Sequence, residues 1–165
     1  MSEARATAFY WCADAGAPMI AASQLQVEAG SGIVGDRYAL GLGAYSATEP
    51  DKPRHLTLIT QVGINTANAW QLAAGLDPFP AELTRRNVVM EGMTASELNR
   101  WVGRRFRLGA LLCEGVELAT PCERPSALSG IDGFPEAFDG RGGLRVRVLE
   151  GGTLHRGDRL LDEAA

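Results

Sequence analysis

Apolar and polar residues alternate along much of this chain in short runs punctuated by glycine, the pattern of half-buried strands more than of long helices. The runs A-F-Y-W-C, residues 8 to 12, and L-Q-V around residue 26 read as short strands. The glycine loop G-S-G-I-V-G-D-R-Y, residues 30 to 38, and an irregular stretch over 39 to 53 follow. H-L-T-L-I, residues 55 to 59, alternates as a strand, and residues 61 to 75 suit a helix that Gly75 terminates. After a turn at D-P-F-P, the run R-N-V-V-M-E-G predicts a strand ending at Gly92. T-A-S-E then forms a capping box, Thr94 accepting from the Glu97 backbone and Glu97 reaching back, for a short helix ending at Gly103.

From residue 105, Phe106, Leu108, Leu112, Val116 and Leu118 share even parity, which predicts one buried strand face with turns or bulges at Gly109 and Gly115. Residues 123 to 143 read as a long glycine-bearing loop. L-R-V-R-V-L, a G-G turn and T-L-H-R-G-D-R-L-L predict a terminal hairpin. Many short strands with two brief helices imply a mostly β, barrel-like domain with helical decoration, a single unit over residues 1–165.

Charge narrows the partners. A net charge of -4 and a pI near 5.2, without any basic run, argue against nucleic acid. No apolar stretch has the length of a membrane span and the N-terminus lacks a signal-peptide core, so a soluble cytoplasmic protein is expected. Fifteen of the 16 basic residues are arginine, and Lys52 is the only lysine, which leaves Schiff-base chemistry one poor candidate. Arginine forks suit phosphate or carboxylate.

Three cysteines without a C-x-x-C pair suggest neither a disulfide framework nor a thiolate zinc cage. Cys12 and Cys113 lie inside strand-like runs without special neighbours and read as packing residues. Cys122 differs. In A-T-P-C-E-R-P-S the prolines force the backbone out of the sheet, and Arg124 stands two residues away. The residues themselves leave two readings, a small packed hydrophobe or a thiol kept available as nucleophile or soft-metal ligand. Asp36 and Arg37 after the glycines are either aimed at a ligand or a solvated ion pair in a turn. The pair of arginines and the amide in L-T-R-R-N suit an anionic ligand or simply flank a strand. His55 and His155 lack ligand spacing and read as structural or exposed, and no nucleophilic triad emerges.

Together, G-I-V-G-D-R, R-H-L-T-L-I, R-R-N-V-V-M-E-G, the T-P-C-E-R turn and V-L-E-G-G-T-L-H-R-G-D, in that order, resemble the MOSC domain, named for the C-terminal region of molybdenum-cofactor sulfurases. The resemblance spans roughly residues 20 to 161. It implies a barrel-like β fold with a pocket for molybdenum cofactor, a pterin carrying a dithiolene and a phosphate. Cys122 matches the thiolate that ligates molybdenum or carries sulfur. Arg85 and Asn87 match the pair that holds the pterin, Thr120 lies beside them, and Gly35-Asp36, with Arg37 next to it, belongs to the family's glycine loop.

The resemblance implies a reductase of N-hydroxylated compounds, or else a carrier holding a persulfide on Cys122, or a MOSC-shaped binding module without metal. Pyridoxal phosphate belongs to the desulfurase domain fused to some relatives and is not expected here. With no aminotransferase-like domain, separate N-terminal β domain or long helical extension, an electron-donor or sulfur-donor protein is the expected partner beside a small-molecule substrate.

Overall fold

A computed structural model describes residues 3–164, leaving Met1, Ser2 and Ala165 of the expected single unit outside the described residues. Eleven strands are described: β1 (Arg5–Trp11), β2 (Ile20–Ala22), β3 (Gln24–Glu28), β4 (Gly32–Ile33), β5 (Leu56–Thr60), β6 (Val88–Glu91), β7 (Arg105–Leu108), β8 (Leu111–Leu118), β9 (Leu144–Glu150), β10 (Gly152–His155) and β11 (Leu160–Asp162). Four helices accompany them, α1 (Gln61–Ala73), α2 (Ala95–Asn99), α3 (Arg124–Ser129) and α4 (Phe134–Ala137), with a 3-10 turn at Ala81–Thr84.

One eight-stranded sheet runs in the order β11-β7-β8-β9-β5-β6-β1-β2, and β10-β3-β4 form a second. All pairs are antiparallel except β5 with β6, whose crossover carries α1. The large sheet curls until its far members meet. Ala6 donates to the Asp158 carbonyl, Gly157 to Ala6 and Leu160 to Ala4, at 2.7 to 2.9 Å, around an isolated bridge between Arg5 and Arg159. The sheet is barrel-like, tied by this seam instead of closed by a continuous ladder.

Side chains on the inner face build the main core, including Phe9, Leu56, Leu58, Val88, Met90, Phe106, Leu108, Leu144, Val146 and Val148. On β5 and β6 the outer face is buried too. Ile59 and Val89 point out between their inward neighbours and pack with Ile64 and Ala67 of α1 and with Phe79, Phe134 and Phe138. The three phenylalanines form a cluster with ring centroids 4.4 to 5.9 Å apart. Each such buried side chain contributes about 1.5–3 kcal/mol. This second core explains why a parallel pair is tolerated here, since α1 and α4 cover what water would otherwise reach.

Local signals set the helix ends. The Thr60 hydroxyl accepts from Gly63 N at 3.0 Å to start α1, and Gly75 leaves it at φ 75°. The Thr94–Glu97 capping box is present, but α2 stops at Asn99, before Gly103.

Four expectations are corrected. The parity expected from residue 105 holds for Phe106 and Leu108 and reverses after the Gly109 turn: Leu111, Cys113 and Gly115 face the core, while Leu118 is exposed. Two register shifts between β8 and β9 follow, with Leu149 the extra residue on β9 beside Leu112/Cys113 and Val116 the extra residue on β8 between Gly115 and Glu117. The terminal hairpin does not form, because β10 pairs with β3 and β11 with β7. Residues 123 to 143 are not one long loop but carry α3 and α4, whose Phe134 and Phe138 are needed to cover β5 and β6. Cys12 lies one residue past β1 and does have special neighbours, an arginine and a buried carboxylate described below.

Candidate functional site

The turn after β8 places Cys122 on the surface, whereas Cys12 and Cys113 are buried. Gly142 makes this turn possible by close approach: a Cβ there would strike the Ala119 carbonyl oxygen and come within 3.0 Å of Pro121 Cδ. Cys122 lies in the wall of a cleft of about 290 Å³, near the lower end of the roughly 300–1,000 Å³ typical of ligand pockets. Arg37, Arg54, Arg85, Arg86, Arg124 and Arg145 line the same cleft, with Lys52. Only two carboxylates, Glu49 and Glu117, face them there.

The arginines are anchored differently. Arg85 closes the 3-10 turn at φ 63°, the one non-glycine residue with positive φ among the described residues, a conformation that costs about 1–3 kcal/mol. From there its Nη1 donates to the Ala17 carbonyl at 2.8 Å and its Nη2 reaches the Cys12 sulfur at 3.5 Å. Burial, reinforced by Arg37, lowers its pKa. Arg86 donates Nε to the Gly142 carbonyl at 2.8 Å and Nη2 to Ala119 at 3.1 Å. Its pKa is pulled down to about 10 by burial, with Arg145 beside it adding to the effect. Neither Arg85 nor Arg86 has a carboxylate partner among the described residues. Two half-buried cations without counter-charge are what an anionic ligand would stabilise.

Asn87 is also on the cleft wall, but its amide is largely committed to the frame. Its Oδ1 accepts from the backbone and hydroxyl of Thr57 at 3.1 and 3.0 Å, and its Nδ2 donates to the Tyr10 carbonyl at 3.0 Å. One amide thus ties β1, β5 and the approach to β6 together. Thr120 is exposed on the cleft wall two residues before Cys122.

Asp36 is not aimed at a ligand, nor is its ion pair solvated. The carboxylate is 3% exposed and accepts from Cys12 N at 3.3 Å, Tyr38 N at 3.1 Å and Arg37 Nη1 at 3.0 Å. With φ 85°, Gly35 turns the chain so that Asp36 faces inward and holds Arg37, which does line the cleft. Cys122, Arg85, Asn87, Thr120 and Arg37 are therefore brought together, and Asp36 stands behind them.

Beyond Arg37 the chain runs without strand or helix to residue 54, forming a strap along the cleft. The Tyr45 hydroxyl lies 3.6 Å from the Cys122 sulfur. Arg54 stacks between Tyr45 and Tyr38, 4.7 and 5.5 Å from their ring centroids. On the strap's other side is a larger cavity of about 740 Å³ sharing Tyr38, Glu49, Lys52 and Arg54, but it contains neither the thiol nor Arg85 and Arg86. The reactive groups converge in the smaller cleft.

Arg86 enters the sequence reading only as one of the two arginines of L-T-R-R-N, and Arg54, Arg145 and Tyr45 do not enter it as site residues. Arg86 was legible as the middle of R-R-N. Arg145 was legible as an outward position in L-R-V-R-V-L, but what it meets outside the barrel depends on the strap.

Among the described residues no three His, Cys, Asp or Glu side chains are grouped to hold a metal ion, and no helix is long and apolar enough to cross a membrane. No curated protein sequence matches the chain. Solved structures do. YuaD protein from Bacillus subtilis is 20% identical with a TM-score of 0.74, covering 95% of this chain and 93% of its own. YiiM from Escherichia coli is 18% identical with a TM-score of 0.63, over 96% of this chain and 69% of its own. YiiM from Geobacillus stearothermophilus is 21% identical with a TM-score of 0.54, over 66% of this chain and 54% of its own. At these identities the likeness is one of fold. The family model of the MOSC domain matches residues 56–161, from β5 through β11 and including Cys122, and the chain belongs to the MOSC domain family.

Proposed function

We propose that this protein binds molybdenum cofactor in the arginine-lined cleft, with the Cys122 thiolate as a metal ligand, and reduces N-hydroxylated compounds. The observation that carries this reading is the exposed thiol sharing a cleft with Arg85 and Arg86, neither of which has a carboxylate partner among the described residues. The donor set fits the group. Guanidinium forks match anionic oxygens, and a thiolate is a soft ligand suited to molybdenum. Since a single thiolate cannot hold a metal by itself, the remaining ligands would come from the cofactor.

In this reading Arg85, Arg86 and Arg37 bind and orient the anionic cofactor, and Thr120 offers a hydroxyl beside them. Asn87 fixes the approach to β6 so that both arginines face the cleft. The turn prolines and Gly142 hold Cys122 at the wall, away from the core. When bound, the cofactor supplies the two-electron oxygen-transfer chemistry, and an electron-donor protein is the partner required.

A second reading is favoured by the exposure of Cys122: a thiol at the surface can carry a persulfide and pass sulfur to a partner. One experiment separates the two. The protein and Cys122→Ala are produced in a host that makes molybdenum cofactor, then assayed for molybdenum, thiol-bound sulfur and hydroxylamine reduction with a supplied donor. Molybdenum and reduction in wild type only support the enzyme. Sulfane sulfur on Cys122 without metal supports the carrier. Neither, with no effect of the substitution, leaves a binding module.

A further inference from the structure

Two further arginines of the cleft lining, Arg54 and Arg145, are each tied to one carboxylate while keeping a second donor idle. Arg54 on the strap donates Nη2 to Glu49, and Arg145 on β9 donates Nη1 to Glu117. Lys52 spans the two carboxylates, 3.0 Å from Glu117 and 3.7 Å from Glu49. The Nε of each arginine is shielded from solvent and meets no acceptor among the described residues. A guanidinium offers Nε–H and Nη2–H as a parallel fork matched to two oxygens of one anion, so the Arg54 fork is half used and the Arg145 fork, with Glu117 held on Nη1, is unused.

The two sides of these pairs differ in freedom. The side chains of Arg54 and Arg145 are only 12% exposed, against 43% for Glu49 and 37% for Glu117. Tyr45 and Tyr38 further fix the Arg54 guanidinium by stacking. Fixed cations thus face carboxylates that are free to turn into water.

We infer that Arg54 and Arg145 form the seat of a compact oxyanion, a phosphate group, and that Glu49 and Glu117 occupy this seat until the phosphate enters. The inference rests on reading the cleft as an anion site and adds which wall takes the phosphate. Phosphate entry turns both carboxylates out toward solvent, with Lys52, and lets each arginine donate through Nε as well as Nη. The carboxylates keep the seat charge-balanced when it is empty and set a threshold that weakly charged ligands do not pass.

The test titrates inorganic phosphate into protein free of metal and cofactor, by calorimetry at low ionic strength. Glu49→Gln removes a competitor and is expected to tighten binding about two- to five-fold, the worth of an exposed ion pair. Arg54→Gln and Arg145→Gln are each expected to weaken it by about ten-fold or more, as loss of a charge-assisted fork does. Glu114→Gln removes the Arg147 partner on the same two strands, outside the cleft, and is expected to leave binding unchanged. Circular dichroism and melting curves establish that each variant is folded. The inference is overturned if wild type binds no phosphate at millimolar concentration, or if folded Arg54→Gln and Arg145→Gln bind it as wild type does. Because no molybdenum is involved, this pattern stands or falls separately from the metal content that tests the proposed function.

Discussion

The hydroxyl of Tyr45 and the sulfur of Cys122 lie 3.6 Å apart, joining the strap to the turn after β8 across 77 positions of sequence. The hydrogen bond with Cys122, then burial, raises the Tyr45 phenol above its ordinary pKa of 10.0. A raised folded-state pKa means that the contact stabilises the fold below pH 10 and that this contribution fades as the pH rises through the shifted value. Cys122→Ala removes the first cause, so the phenol should titrate closer to 10.0. Phenolate absorbance in a Tyr10→Phe, Tyr38→Phe background isolates this group, and an unmoved titration would show that the bond is absent in solution.

Thiol reactivity should divide the cysteines sharply. Burial pushes the Cys113 thiol up to about 12, leaving almost no thiolate near neutral pH, and Cys12 is 1% exposed. An aromatic disulfide reagent should titrate one thiol in the native protein and three after denaturation. Native Cys122→Ala should react with none. A second fast thiol in the native protein would contradict the burial of Cys12 or Cys113.

Asp36 is expected to matter for stability first and for the cleft only through Arg37. Asp36→Ala leaves the Arg37 guanidinium, 9% exposed, without its carboxylate and strips acceptors from Cys12 N and Tyr38 N. Breaking a buried pair from one side costs about 3–5 kcal/mol. Urea denaturation should register a loss of that order. A loss under about 1 kcal/mol would mean that water reaches the pair, since that is the range of exposed ion pairs.

His55 provides a pH dependence with a defined sign. Its Nδ1 accepts from Val148 N at 2.9 Å, and burial, then Arg147, lowers its pKa below 6.5. A depressed folded-state pKa means that the stabilising contribution is complete above pH 6.5 and is lost as the pH falls through the shifted value. Melting temperatures of wild type and His55→Asn, compared at neutral pH and in mild acid, should converge on acidification. A constant gap would remove His55 as the cause.

The repeating part of the fold was legible wherever one rule acted alone. Thr94 and Glu97 form the helix cap that their spacing predicts, and Gly75 ends α1, because caps depend on residues three or four apart. Leu144, Val146 and Val148 alternate inward on β9 as written. Parity failed after Gly109, because the two-residue turn at Gly109 and Ala110 brought odd positions, from Leu111 on, to the core face. Strand partners were not legible either. L-R-V-R-V-L and T-L-H-R-G-D-R-L-L, on either side of the G-G turn, read as a hairpin, yet the second run divides into β10 and β11, which pair with β3 and β7 instead of β9.

For the cleft, the sequence by itself determined that Cys122 leaves the sheet between prolines and that R-R-N precedes a strand, since proline geometry and short-range pattern act within a few residues. Only the tertiary structure decided which charges face one another. It turned Asp36 inward to hold Arg37, left Arg85 and Arg86 without carboxylates among the described residues, and laid the strap so that Tyr45 meets Cys122 and Glu49 meets Arg54. The physical reason is range: alternation and capping are set by neighbours in the chain, whereas burial, counter-charge and the distance between side chains depend on where separate segments come to rest.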